Sequence, residues 1–310
     1  MENQALIHEP VLKQELLEYL DLSQSNTVID ATIGFGGHAN AILQRLGEDG
    51  RLIGMERDPV IHARVSEILS SDPRVKIVHE NYRNLGRVLN TVGIDRVDAI
   101  YFDLGVNSYH LDQSTRGFSF EHDQDPLDMR FDPGTADDSA REYVNELSED
   151  QLLRLLEEFG DVRHAHSVVR AIVDHRPLNT VADLRKAVED AVPPPYRNAQ
   201  LARVFQAIRI HVNQELEHLE EALETAVSQL RPGGRLAVIS FHSGEDRIVK
   251  HFFREQEKDC VCPPDLPVCA CEKTQSLSII NRSPLTPGKE EKEANSRSRS
   301  AKLRVAEKTA

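Results

Sequence analysis

The sequence predicts an α/β protein, a mostly parallel sheet with helices on both faces, interrupted by an inserted helical unit. Three observations carry this. Between residues 27 and 104, short apolar runs of strand length alternate with stretches of helical spacing, the pattern of repeated βαβ units. A glycine-rich segment, Asp30-Ala31-Thr32-Ile33-Gly34-Phe35-Gly36-Gly37-His38-Ala39, joins the first run to the helical stretch that follows it. After Leu104 the alternation stops, and the next convincing buried-strand pattern is at residues 236–241.

Each element has its own signal. Residues 9–20 place Val11, Leu12, Leu16, Leu17 and Leu20 on one side, as an amphipathic helix does. Runs 27–31, 51–56, 75–79 and 97–104 predict strands, and 39–46, 60–69 and 85–92 predict the helices between them. A ligand of such a sheet sits beyond the carboxyl ends of the strands, where the glycine loop and Glu56 both fall. From Gly105 to Gly134 the chain reads as loops. Helices are expected next at 149–159, where Ser148 and Gln151 have capping-box spacing, then at 165–175 and 181–192, with Pro193-Pro194-Pro195 closing the set. One long helix over about 201–230 returns the chain to the sheet, and 276–281 with 302–306 is expected as an antiparallel edge pair. The predicted domains are therefore 1–104, the first part of the sheet domain; 105–200, the inserted helical domain; and 201–310, the second part with a Cys-rich loop and a basic tail.

Composition narrows the class. The chain has 310 residues, 39% hydrophobic and 28% charged, enough for one large core and a second unit. No apolar stretch approaches the roughly 20 residues that span a bilayer, and the start MENQALIHEP lacks the basic and apolar regions of a signal peptide, so a cytoplasmic protein without membrane contact is expected. A net charge of −14 argues against non-specific binding of nucleic acid, but the charge is uneven. Between Asp112 and Arg163 fifteen Asp/Glu face five Lys/Arg, while from Asn295 onward five Lys/Arg face one Glu. The bland reading of both is a solvated face and a disordered tail.

The glycine loop points to a nucleotide-like cofactor, because glycines allow a tight turn and close approach of the backbone to a ligand. From Gly34 the run fits the dinucleotide pattern GxGxxA, with Glu56 about 20 residues on to hold ribose hydroxyls. Asp30 at the strand tip favours S-adenosylmethionine instead: a carboxylate there repels a pyrophosphate and attracts the ammonium of a methionine moiety. A merely structural glycine turn is the third reading. No GxSxG nucleophile elbow occurs, which removes a Ser/His hydrolase. All four cysteines lie together as Cys260-x-Cys262 and Cys269-x-Cys271, so zinc, thiols and, less readily in a reducing compartment, disulfides are the options.

One ordered set of segments is specific. His8-Glu9-Pro10-Val11-Leu12, the loop ending Gly36-Gly37-His38, Asp103-Leu104-Gly105-Val106, Arg116-Gly117-Phe118-Ser119-Phe120, Pro126-Leu127-Asp128-Met129-Arg130, Phe205-Gln206-Ala207-Ile208-Arg209, Ser240-Phe241-His242-Ser243 with Glu245-Asp246-Arg247, and residues 296–306 follow one another. In this set the chain resembles, over nearly its whole length, the MraW-type small-subunit (16S) rRNA cytosine-N4 methyltransferase family.

The resemblance implies a Rossmann-like sheet dependent on S-adenosyl-L-methionine, with an all-helical insertion, acting on 16S rRNA within the small ribosomal subunit. It carries cofactor contacts to Gly36, Gly37, His38, Glu56, Tyr82 and Asp103. His110 stands where the family usually has an amide, because Ser-Ser-x-Gln reads Asn107-Ser108-Tyr109-His110 here, and Gly244 replaces a usual Leu. Asp103 is the expected acceptor for the reacting amine, with a cofactor-only contact as its alternative. Unstacking a cytosine needs ring faces and arginines, for which Arg116, Phe118, Phe120, Arg130 and His242 are candidates beside the plain alternative of core packing. The basic tail residues Arg297, Arg299, Lys302 and Arg304 are expected to dock on the subunit, and a homodimer is left open. Competing functions are an NAD-dependent oxidoreductase and a non-catalytic ribosome-assembly factor.

Overall fold

The computed structural model describes residues 10–24, 26–135, 137–262, 271 and 273–309; Glu9 and Cys269 lie outside the described residues. The chain divides into two units, residues 1–105 with 216–310, and residues 106–215.

In the first unit the N-terminal amphipathic pattern becomes α1 (Lys13–Tyr19). The alternation then runs β1 (Thr27–Asp30), α2 (Gly37–Leu43), β2 (Arg51–Glu56), α3 (Pro59–Leu69), β3 (Val75–His79), α4 (Leu85–Val92) and β4 (Val97–Asp103). All four strands are parallel, with β1 between β2 and β4 and β3 outside β2. Residues alternate between two faces, as a period of two requires. Val28, Ala99, Tyr101, Ala237 and Ile239 cluster with Leu12, Leu16 and Ile42, whereas Ile29, Ile100, Phe102 and Val238 cluster with Leu89, Leu223 and Phe253. Burial on both sides is why β1, β2 and β4 read as near-continuous apolar runs, whereas β3, at the sheet edge, keeps Lys76 and His79 exposed.

The second unit, residues 106–215, is helical: α5 (Ser108–Asp112), α6 (Ala140–Glu146), α7 (Glu149–Gly160), α8 (Ala165–Asp174), α9 (Val181–Ala191) and α10 (Arg197–Asn213). Its core gathers Leu152, Leu156, Val168, Ile172, Leu184, Val188, Val204 and Ile208 from the apolar stripes of these helices. Capping boxes start α5, α6, α7 and α9 at Asn107, Ser139, Ser148 and Thr180, each satisfying backbone N–H groups that the first turn leaves open.

Two expectations are corrected. The single helix over 201–230 is two, α10 and α11 (Glu215–Gln229), broken at Gln214, which is left-handed at φ 49°. Polar contacts hold the break: the Asn213 side chain donates to the Met129 carbonyl at 2.7 Å and accepts from Phe131 N at 3.0 Å, while Arg209 grips Glu215 at 2.8 and 3.0 Å. The helical unit consequently extends through Glu215 and takes α10 with it, past the expected limit at residue 200.

The basic tail is also not a tail. After β5 (Leu230–Ser240), α12 (Ser243–Glu257), β6 (Leu277–Ile279) and α13 (Lys289–Ala294), residues Lys302–Lys308 form β7, which lies between β5 and β6 and is antiparallel to both. The full order is β3-β2-β1-β4-β5-β7-β6, with β5 parallel to β4. Segments 276–281 and 302–306 do pair, yet only β6 is an edge. Lys302 and Arg304 both reach Asp246 on α12, at 2.8 and 2.7 Å, so they neutralise a buried acid of their own unit rather than facing outward as a docking strip. Arg297 and Arg299 sit in a short 3₁₀ turn, Ser296–Ser300. Among the described residues, no helix is long and apolar enough to cross a membrane.

Candidate active site

The carboxyl ends of β1 and β4 bring together four polar groups of the first unit. Asp30 ends β1 and Asp103 ends β4, with Tyr101 two residues earlier on the same face as Asp103. The Tyr101 hydroxyl donates to the Asp30 carboxylate, and Thr32 N donates to Asp30 Oδ1 at 3.2 Å. Asp30 is 1% exposed, and burial pushes its carboxyl up to about 7. The sequence placed this acid at the ligand surface; the structure places it beneath, capped by a tyrosine. Burial likewise pushes the Tyr101 phenol well above its ordinary value.

His38, in the first turn of α2, links this buried pair to Asp103. Its Nε2 lies 3.0 Å from the Val11 carbonyl, which can only accept, so Nε2 carries a hydrogen. Its Nδ1 lies 3.5 Å from Asp103 Oδ2. Burial alone pulls the imidazole down, but the Asp103 hydrogen bond and the charges of Asp103 and Asp30 outweigh it, leaving His38 raised. The Asp103 backbone N–H is satisfied by Thr32 Oγ1 at 2.6 Å. Asp103 Oδ1 is different: it is buried and accepts no hydrogen bond among the described residues. A buried carboxylate oxygen without a donor is costly, and a ligand bearing N–H groups or positive charge supplies what it lacks.

The glycine loop owes its composition to the protein itself. Gly36 caps α2 at φ +82°, a left-handed conformation, and a Cβ there would meet Leu69 Cδ1 at 3.3 Å and Val65 Cγ2 at 3.4 Å. Those are core side chains of α3, so the requirement is internal packing and backbone shape. Gly37 packs on the Pro10 ring. Glu56, expected to hold ribose hydroxyls, braces the loop: Oε2 accepts from Gly34 N at 3.1 Å and Oε1 from Asp58 N at 2.8 Å. Burial pushes Glu56 up to about 7, and each of its oxygens retains a lone pair for a further donor. Tyr82, in the 3₁₀ turn after β3, meets Phe102 edge to face at 5.7 Å and is 9% exposed, so most of its ring belongs to the core.

His242 follows β5 as the N-cap of α12. Its Nδ1 accepts from Gly244 N at 3.2 Å and Glu245 N at 3.4 Å, a structural duty that fixes the ring.

The candidates in the helical unit are mostly internal. His110 Nδ1 closes the α5 capping box at Asn107 N, 3.3 Å, and its ring lies 4.7 Å from Phe131 and 5.0 Å from Phe118. Phe118 stacks on Phe131 at 5.2 Å and is buried; Phe120 packs edge-on against Phe205 at 5.9 Å. Arg116 donates to the carbonyls of Arg130 and Phe131 at 3.1 and 2.7 Å. Arg130 forms a two-pronged pair with Asp128 at 2.8 and 3.0 Å. The site residues that sequence reasoning missed are Tyr101 and Thr32. A period-two reading of β4, which puts Ala99, Tyr101 and Asp103 on one face, carried the signal for the first.

Comparison with known proteins bears on the whole chain. The model of the MraW methylase family matches residues 5–309. Similar curated relatives are named ribosomal RNA small subunit methyltransferase H. That of Carboxydothermus hydrogenoformans is 44% identical over 307 residues, 97% of each chain. Those of Caldicellulosiruptor saccharolyticus and Heliobacterium modesticaldum are each 45% identical, over 97% of this chain and 99% and 98% of theirs.

Proposed function

We propose, starting from the fact that this chain belongs to the MraW methylase family, that it methylates N4 of a cytidine in the decoding region of 16S rRNA within the small ribosomal subunit. The methyl donor is S-adenosyl-L-methionine, whose sulfonium supplies an already activated methyl group. A methylase replaces the dinucleotide reading of the glycine loop. The work is placed in the cytoplasm, where subunits are assembled.

The observation that carries the site assignment is the buried, unsatisfied Oδ1 of Asp103 at the end of β4. The exocyclic amine of cytosine is a poor nucleophile, because its lone pair is delocalised into the ring, so a preorganised acceptor must take its N–H bond as positive charge develops. Asp103 Oδ1 is that acceptor. Its partner oxygen faces His38, which holds the carboxylate in orientation and balances its charge. Asp30, beneath, keeps His38 inclined to hold its proton without touching substrate. The cofactor contacts are assigned to Gly36, Gly37, His38, Glu56 and Asp103, with Tyr82 offering only the part of its ring left by the core. His110 and His242 serve chiefly as caps, and the helical unit contributes shape for the substrate through Arg116, Phe118, Phe120 and Arg130.

Methyl transfer from labelled cofactor to purified small subunits, followed by nucleoside mapping, tests the reading. The expected product is N4-methylcytidine. A methyl group on carbon-5 would overturn it, since that chemistry needs a cysteine nucleophile and the described cysteines all follow α12. The alternative of an assembly factor whose catalysis is dispensable is favoured only if Asp103→Ala supports full subunit maturation in cells.

A further inference from the structure

Cys260 and Cys262 follow α12 almost at once and Cys271 precedes β6, so in sequence the three stand between a core helix and an edge strand. Their sulfur atoms all lie within 4.8 Å of one another. Cys271 Sγ and Cys260 Sγ are 3.7 Å apart. A disulfide needs about 2.05 Å between sulfurs. Two thiolates on one tetrahedral zinc ion, each about 2.3 Å from the metal, stand roughly 3.8 Å apart. The Cys260–Cys271 contact is therefore as long as the edge of a zinc–thiolate tetrahedron. Two backbone N–H groups already point at these sulfurs, Val261 N at 3.5 Å from Cys271 Sγ and Cys262 N at 3.4 Å from Cys260 Sγ. Such donors stabilise sulfur that carries negative charge, as outer contacts do around metal ligands.

We propose that Cys260, Cys262 and Cys271 bind a zinc ion as thiolates, each thiol releasing its proton to solvent on binding. Cys269 lies outside the described residues and takes no part in the argument. The donor set selects the metal: sulfur-only ligation suits zinc and excludes magnesium or calcium, which take oxygen.

The location gives the ion a structural role. At the other end of α12 His242 caps the helix beside β5, about 22 Å away for 15 residues at 1.5 Å each. The end of α12 is already tied to the start of β6 by Ser276 N to the Gln256 carbonyl at 2.9 Å and by Ile279 N to Glu257 Oε1 at 3.2 Å. A metal across the cysteines would add a third tie between them and help hold β6 in place.

The test uses the full chain purified under reducing conditions. Elemental analysis is expected to find about one zinc per chain, and cobalt(II) added after chelator stripping is expected to give thiolate charge-transfer absorption with tetrahedral visible bands. The Cys260→Ser/Cys271→Ser protein should lose both signals and keep its affinity for S-adenosylhomocysteine within about twofold. If that variant does not fold, the cobalt titration of the wild-type chain decides alone. The proposal is overturned by wild-type protein with reduced thiols that holds no zinc and gives no cobalt–thiolate band, by undiminished bands in the double variant, or by a mass showing these cysteines joined as a disulfide.

Discussion

The carboxyl ends of the sheet's strands and the helix starts of the helical unit use charge in opposite ways. Around the ends of β1, β2 and β4, Asp30, His38 and Glu56 are buried, and burial pushes both carboxyls up to about 7. In the helical unit acids sit at helix starts, where hydrogen bonds hold them ionised: Glu142, bonded by Ser139, is drawn down to about 2, and Asp183, receiving Asn179 N, is drawn below its ordinary value. The charges at those helix starts support the fold. The buried groups at the ends of β1, β2 and β4 burden theirs, and a costly buried cluster at the carboxyl end of a parallel sheet is what a functional site looks like.

The sharpest way to break this comparison is Asp103→Ala. Methyl transfer to small subunits is expected to fall by about 100- to 1000-fold, while the unfolding midpoint in urea stays close to wild type. A large loss of stability with activity retained would make Asp103 structural. Next comes Gly36→Val, whose side chain must adopt φ +82° and press on Leu69 and Val65. Calorimetry with S-adenosylhomocysteine should show at least about a tenfold weaker affinity, through a displaced loop.

The third test uses pH. The folded Asp30 carboxyl, at about 7, lies above its ordinary 3.8, so its contribution to stability is full below 3.8 and is lost as pH rises through about 7. Asp30→Asn keeps an acceptor for Tyr101 without the charge. Relative to wild type, the variant should gain stability across that window, on the order of 1 kcal/mol or more by urea unfolding of the ligand-free protein. A pH-independent difference would refute the burial argument. Glu142→Gln is the smallest and runs the other way. Its contribution is present above 4.5 and lost as pH falls through about 2, so the substitution should cost about 1 kcal/mol or less at neutral pH and little at pH near 2.

What was legible in the sequence follows the range of the interactions. Strands β1 to β4 and helices α7 to α9 were readable because periodicity and caps are local: Ser148 with Gln151 announces α7 unaided. The break at Gln214 was not, since no Gly or Pro marks it and Asn213 is held by Met129 and Phe131, far away in sequence. Nor was the burial of Asp30, which depends on a tyrosine 71 residues on. Lys302 and Arg304 read as a free basic strip because their partner Asp246 precedes them by 56 and 58 residues. Phe118 and Phe120 read equally well as substrate platforms or core, and only the positions of Phe131 and Phe205 show how much of each ring is taken up by packing.

Strands β4 and β5 are neighbours in the sheet, yet the whole helical unit is strung between them. Closing a long flexible loop costs conformational entropy that grows with its length, and contacts distant in sequence slow folding. If the segment 106–215 collapses first, around a core made of its own residues, the flexible span between β4 and β5 shrinks to the link before residue 106 and the stretch after Glu215 that becomes α11. An insertion that folds early would then burden the closing of the sheet less than a flexible loop of its length, and substitutions that unfold it alone should delay that closing without touching Asp30, His38 or Asp103.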